Sequence, residues 1–452
     1  MNSKITRKEL TLFLVPSLIG VILFMLPLQH NGELTILVKI LADQLSSLLG
    51  SYLPLICVVI ISISAVFSLL VLLKVPVISS NKYIHEIFNS TPVWVSVRVV
   101  GAILVWITYL ELDQNALFSM IIDGGSGGFV LHDLLTVLVI IFAIAGLFLP
   151  LLLDFGLLEF IGTLFTKIMR PLFKIPGRAA VDCVTSWLGD GTLGVILTNN
   201  QYEEGYYSGR EAAIIATNFS AVSITFSIVV LSEVGLMEHF GLFYILVCLI
   251  GVVCAIICPR IPPLSRKKNS YLLENTSKNE SIPSGTSSFS YGLALAGKRA
   301  KESASISTFF KKGSKNAFDM WFTVLPIVMT IGTLALVIAN NTTIFEFLGR
   351  PFLPLLEFLG VPEAVEASKT LIVGFTDMFT PAIIAAESIS SPVTLFIVAV
   401  VSVTQLIYLS EVGGLILGSK IPLKLWELFI IFIERTIISL LIVAPIAIYI
   451  FS

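Results

Sequence analysis

The sequence predicts an all-α, polytopic membrane protein of about nine spans, with two re-entrant helical hairpins arranged as two inverted-topology repeats. Three observations carry that prediction. Of the 452 residues, 56% are hydrophobic and only 13% are charged, whereas soluble chains carry about a quarter charged residues. The apolar residues fall in runs long enough to cross about 30 Å of hydrocarbon as helix, where a β-barrel would show short alternating segments. One phrase is also written twice, LSEVGL at Leu231–Leu236 and LSEVGG at Leu409–Gly414.

The elements follow in order. The opening MNSKITRKELTLFLVPSLIGVILF sets Lys4, Arg7 and Lys8 ahead of an apolar run of spanning length with no A-x-A-like site after it. It reads as an uncleaved first helix with a cytoplasmic N-terminus. Spans are expected at Leu10–Leu28, Tyr52–Val75, Val95–Leu112, Leu131–Leu153, Ala212–Ser232, Gly241–Cys258, Met320–Ala339, Val393–Leu409 and Trp426–Phe451. Between the first two, ELTILVKILADQLSSLLG is amphipathic and is expected to lie along the membrane surface. Lys74 and Lys82, then Lys167, Arg170, Lys174 and Arg178, fall in loops that the alternation of spans places inside. Eleven of the 28 Lys and Arg residues crowd between Arg260 and Lys315, and the outer loops keep chiefly Lys39, Arg350 and Lys369. This is the positive-inside bias.

The Ser-, Asn- and Lys-rich SRKKNSYLLENTSKNESIPSGTSSFS has little to bury and is expected to be a mobile cytoplasmic linker. The chain then divides into N-terminal spans and surface helix (1–130), a first repeat (131–262), the linker (263–318) and a second, inverted repeat (319–452).

Composition excludes several function classes. A net charge of −2 offers no basic field for nucleic acid. The five cysteines, Cys57, Cys183, Cys248, Cys254 and Cys258, form no CxxC pair and read as small buried hydrophobes. His30, His85, His132 and His239 lie far apart, so neither a metal nor a cofactor is expected. No nucleophile–base set suggests an enzyme, and no GxxxxGK[ST] phosphate loop is present.

The repeated phrase has matching neighbourhoods. Before the first copy come a span, the amphipathic FIGTLFTKIMRPLFKIPG, then RAAVDCVTSWLGDGTLGVILTNN and a polar-striped span. Before the second come a span, TIFEFLGRPFLPLLEFLGVPE, then AVEASKTLIVGFTDMFTPAIIAAES and another polar-bearing span. Counting spans, the first repeat is entered from outside and the second from inside, the inverted arrangement of many secondary transporters.

Gly189 and Gly191 around Asp190 predict a helix break there. The counterpart breaks at GFTDMFTP, with Thr380 placed as an N-cap and Pro381 as the first residue of the next half-helix. Either segment could be an ordinary surface loop, but VILTN and PAIIAA directly after the acids favour re-entrant hairpins buried in protein. Asp190 and Asp377, each costly at membrane depth, are then the candidates for ion coupling, joined by Glu411, which precedes the apolar VGGLILG. Glu233 reads as solvated.

Asp190, Thr192, Asn218, Ser220, Asp377, Thr380 and Gln405 are the candidate substrate contacts. Thr217, Ser220, Ser223 and Ser227 share one stripe of a continuous helix, with Asn218 and Thr225 on a neighbouring face. Thr394, Gln405 and Tyr408 share a face in the second half. Small hydroxyl residues also simply let membrane helices pack closely. Glu434 and Arg435 read as an ion pair.

The stretches MRPLFKIPGRAAVDCVTSWLGDGTLG and NNQYEEGYYSGREAAIIATNFSAVSITF, with PRIPPL after Cys258, resemble the YjiH-type membrane proteins of the nucleoside-recognition, or Gate, domain family. That family's likeness to concentrative nucleoside transporters implies paired hairpins around a central solute. Asp190 and Thr192 would line the first hairpin, Asn218 and Ser220 the next span, and Asp377 and Thr380 the second hairpin. The expected activity is ion-coupled secondary transport of a small polar solute, nucleoside-like or another small metabolite, driven by Na⁺ or H⁺. The alternative is a half-unit or assembly component that needs a second membrane protein. The expected partners are the solute, the ion and the lipid bilayer, with a homo-oligomer or second membrane protein possible; the expected place is the inner or cytoplasmic membrane.

Overall fold

The computed structural model describes residues 6–30, 33–75, 82–89, 91–188, 191–222, 224–273, 286–302 and 305–451. Helix α1, Arg7–Phe24, opens on a capping box in which Thr6 and Glu9 satisfy each other's backbone N–H. A short hairpin follows, β1 (Pro27–His30) against β2 (Glu33–Ile36). Then come α2 (Leu37–Leu49), α3 (Leu53–Leu72), α4 (Lys82–Phe88), α5 (Pro92–Tyr109) and α6 (Ala116–Ile122). A π-helical turn, Val130–Leu135, runs into α7, Thr136–Phe148.

The longest helix sits later in the chain. It is α15, Ile306–Asn341, which follows α8 (Leu157–Phe173), α9 (Ala179–Leu188), α10 (Gly191–Glu203), α11 (Gly209–Asn218), α12 (Ile224–Glu233), α13 (Phe240–Ile257) and α14 (Ser288–Glu302). At 36 residues it is about 54 Å long. It packs on α3, α5 and α7, and small residues set the spacing. A Cβ on Gly146 would lie 2.7 Å from the Ala317 nitrogen, and one on Gly101 would strike the Pro326 carbonyl.

Among the described residues, six helical stretches are long and apolar enough to cross a membrane: Leu37–Leu72, Pro92–Tyr109, Ala116–Leu153, Met237–Arg260, Ser307–Asn341 and Leu425–Phe451. Three expected spans come out differently. The first helix ends at Phe24, and its opening turn carries Arg7, Lys8 and Glu9, which shortens the apolar run. Ala212–Ser232 is two helices, α11 and α12, and Val393–Leu409 is α20 (Pro392–Thr404) followed by an irregular stretch before α21 (Val412–Gly418). The amphipathic α2 packs on α7 and continues through a 3₁₀ turn into α3. One further expectation is corrected. In the linker, residues 288–302 form α14, which packs on α8 and α1 through Phe13, Ala296 and Ala300. Its small residues let it seat closely, with Gly292 against Thr163 and Phe160.

Two series of elements then share one order. The first is α8, the antiparallel pair α9–α10, the broken pair α11–α12 and the long α13. The second is α16 (Ile344–Gly349) with α17 (Leu353–Phe358), the pair α18 (Ala364–Val373) and α19 (Thr380–Ser388), the broken pair α20–α21 and the long α22, Leu425–Phe451.

Long helices α13 and α22 pack against each other, and contacts along them locate the helix pairs. The chain on either side of α9–α10 meets the end of α13: Arg260 donates to the Pro171 and Leu172 carbonyls, and Arg210 to the Pro259 carbonyl. The chain that follows α18–α19 meets the start of α13 instead, where Phe396 packs on Phe243 and His239. At 18 residues, α13 measures about 27 Å between those ends.

Candidate functional site

The site grows out of four interruptions. In α9–α10 the helices approach closely because Gly194 faces Ser186, where a Cβ would lie 2.6 Å from the hydroxyl oxygen. Asp182 is buried between them, and its Oδ2 accepts from the Tyr207 hydroxyl at 2.9 Å and from Thr198 at 3.4 Å. Helix α10 begins at Gly191, where a Cβ would stand 2.8 Å from the Ser220 carbonyl oxygen. The start of α10 therefore abuts the gap between α11 and α12.

In α18–α19 the turn is organised by Asp377. Its Oδ1 accepts from the backbone N–H of Phe379 (2.8 Å) and Thr380 (3.2 Å) and from the Thr380 hydroxyl, while its Oδ2 accepts from Ser410 at 3.1 Å. The expected N-cap at Thr380 is thus corrected. Thr380 is the first helical residue, and Asp377 supplies the capping oxygen, its negative charge suited to a helix start.

Both broken pairs part where side chains satisfy the backbone. At the end of α11, Thr217, Asn218 and Ser220 each donate to the carbonyl four residues back. At the end of α20, Leu406 adopts a positive φ of 60°. There the Tyr408 hydroxyl accepts the Leu406 N–H at 3.1 Å and donates to the Ser402 carbonyl at 2.7 Å. The N–H groups of Leu409 and Ser410 then pair with the Phe375 and Thr376 carbonyls in the other interruption. These breaks end the helical faces on which the polar residues were expected to line up. Ser223 lies outside the described residues.

Arg435 ties both breaks together. Fully buried on α22, it donates through Nε and Nη2 to the Thr404 carbonyl (3.0 and 2.8 Å) and through Nη1 to the Asn218 Oδ1 at 3.0 Å. One guanidinium thus holds the ends of α11 and α20, where a cation is favoured by the helix dipole. The expected ion pair with Glu434 is corrected, since Arg435 bonds these oxygens instead.

A cavity of about 130 Å³ lies where the interruptions meet, bordered by Gly191, Ser220, Met378, Tyr408, Glu411 and, from α2, Lys39. That volume equals about four waters at liquid density. Phe226 of α12 packs on Phe379 beside it, with ring centroids 5.9 Å apart.

The expected site residues divide around this space. Ser220 and Glu411 border it, and Thr192 is buried in the first turn of α10. Asp377 and Thr380 are not among its bordering residues; of their turn only Met378 is. Asn218 is held by Arg435, Ile214 and Thr217, and Gln405 donates to the Leu371 carbonyl and Thr436, so both brace the breaks. Asp190 lies outside the described residues. Sequence reading gave Arg435 to an ion pair and Lys39 to an outer loop; the signal for the first was a cation inside a 27-residue apolar helix, and that for the second was hidden in an amphipathic pattern.

Comparison with known proteins now bears on this geometry. The nucleoside-recognition (Gate) family model matches residues 134–237, a stretch that includes α9–α10 and α11–α12. An uncharacterized protein of Alkalihalophilus pseudofirmus is 45% identical over 431 residues, 95% of this chain and 92% of that protein. The chain belongs to the nucleoside-recognition (Gate) family. This Gate protein is a multi-pass membrane protein, and no solved structure matches it.

Proposed function

We propose that this Gate protein is an ion-coupled secondary transporter of a small polar solute, nucleoside-like or another small metabolite, with its N-terminus in the cytoplasm. The solute binds where α9–α10 and α18–α19, read as re-entrant hairpins entering from opposite membrane faces, bring the start of α10 and Met378 to one cavity. The observation that supports this best is the cavity shared by Gly191, Ser220, Met378 and Glu411, one residue from each interruption. Interrupted helices at membrane depth are tolerated where they line such a space, and the matching order of elements on opposite ends of α13 fits inverted repeats. At about 130 Å³ the space is smaller than the ~300 Å³ of ordinary ligand pockets. The bound solute therefore widens it, by moving the hairpins against α15 and its neighbours.

Asp377 is the coupling group best placed for this. It joins the second hairpin to the second break through Ser410, so a proton or Na⁺ on its carboxylate changes how the two are held. Asp190 and Glu411 complete the proposed coupling set.

Uptake into proteoliposomes across a panel of nucleosides and other small polar metabolites, under imposed Na⁺ or H⁺ gradients, tests the proposal. Gradient-dependent uptake lost in Asp190→Asn or Asp377→Asn is the expected result. Unchanged gradient dependence in both variants removes the coupling assignment. No uptake by the isolated chain, together with a co-purifying second membrane protein, favours the half-unit reading.

A further inference from the structure

A second and larger cavity, about 450 Å³, opens at the far end of α10, between that helix, α15, α5 and α21. Its wall runs along α10 from Val195, one turn or about 6 Å past Gly191, to Glu204 beyond that helix's end. Eight of its 26 lining residues are charged, and most of those face opposite charges. Asp154 meets Arg299 at 2.6 Å and Lys312 at 3.0 Å, Glu203 meets Lys420 at 3.1 Å, and Asp319 stands one turn from Lys315.

Arg98 does not follow that pattern. Only 2% exposed, it donates through Nη1 to the Ser68 hydroxyl at 2.7 Å and to the Ile87 carbonyl at 3.5 Å. Both are neutral oxygens. Its Nε–H has no acceptor, and no carboxylate lies within ion-pair distance, among the described residues. A buried cation held only by neutral oxygens is costly, and it is unusual without a charge partner. Also lining this cavity, on α10, the Asn200 amide Nδ2 is buried without an acceptor among the described residues.

Arg98 and Asn200 thus present two donors whose complement is an acceptor, on a wall that also carries the Asp319 carboxylate. A guanidinium prefers the two-oxygen edge of a carboxylate or phosphate. We propose that this cavity is a separate binding site for an oxyanion, the carboxylate or phosphate of a small organic anion, with Arg98 as its charge partner and Asn200 as a second donor. The same chemistry is offered by the phosphate of a lipid headgroup, and the experiment distinguishes the two sources. The inference does not depend on the transport reading, because its readout is binding.

The full chain is melted in nanodiscs of phosphatidylcholine while inorganic phosphate is titrated against chloride at matched ionic strength. A parallel arm uses phosphatidylglycerol nanodiscs without phosphate. The expected result is a saturable rise of several degrees with phosphate, absent in Arg98→Gln and weakened in Arg98→Lys. Asn200→Leu should raise the half-saturating phosphate about tenfold, the loss of one hydrogen bond to a charged ligand. A rise only in the phosphatidylglycerol arm, lost in Arg98→Gln, supports the site with lipid as the source. A wild-type chain that responds in neither arm overturns the proposal, as does an Arg98→Gln variant that responds like wild type. Should Arg98→Gln fail to fold, an unchanged midpoint in Asn200→Leu overturns it.

Discussion

Arg435 bridges the two helix breaks, because three of its hydrogen bonds end on them. Arg435→Met leaves the Thr404 carbonyl and the Asn218 amide oxygen buried without that donor. Charge-assisted bonds are worth about 1.5–3 kcal/mol, so a loss of ~3 kcal/mol is expected, read as an earlier melt with a thiol-reactive dye that reports the buried Cys57 and Cys254. An unchanged melt would contradict the bridging role. Asp377 separates charge from capping. Asn also caps helices well, so Asp377→Asn should melt as wild type while losing gradient dependence, whereas Asp377→Ala should cost about 1 kcal/mol. Equal melts for the two would show that the cap contributes nothing. Glu204, in the loop after α10, is pushed above the ordinary glutamate range by burial and then by the nearby Asp154, partly offset by Lys312, Arg299 and Arg178. The folded chain therefore holds that proton more tightly than the unfolded one, and stability falls as pH rises from about 4.3 through the raised value. Melts of Glu204→Gln against pH should show a flatter fall over that window, and a slope identical to wild type would exclude Glu204 as its source.

Elements set how close the interruptions come. The start of α10 meets the gap after α11 because Gly191 has no side chain, and a Cβ there would stand 2.8 Å from the Ser220 carbonyl. Gly191→Val should therefore close the 130 Å³ cavity and abolish solute uptake while the chain still extracts as a monodisperse protein; retained uptake would place the solute elsewhere. At this scale the sequence was readable wherever one strong local signal acted alone. Gly191 marked a helix break, Pro381 fell within one residue of a helix start, and the apolar run Gly241–Cys258 marked a whole helix. It was less readable where distant groups decide. The breaks after Asn218 and Thr404 sit inside apolar runs that are locally good helix, and they are held by Arg435 and by backbone pairing with Phe375 and Thr376. Likewise α14 is polar enough to read as linker, yet Ala296 and Ala300 find Phe13, a partner nearly three hundred residues away in the chain.

The whole molecule is organised about α13 and α22, with one helix pair at each end of α13. The account's central claim is that these pairs are hairpins entering the bilayer from opposite sides. Positive charge near Lys174 and Arg178 and its scarcity around Glu363 and Ser391 fit that arrangement. Single cysteines at Glu204 and at Ser391, labelled in sealed right-side-out vesicles with a membrane-impermeant maleimide, test it most directly. The account predicts that the cysteine at 391 reacts from outside, and that the one at 204 reacts only after the vesicles are opened. Reaction of both from the same side would contradict it.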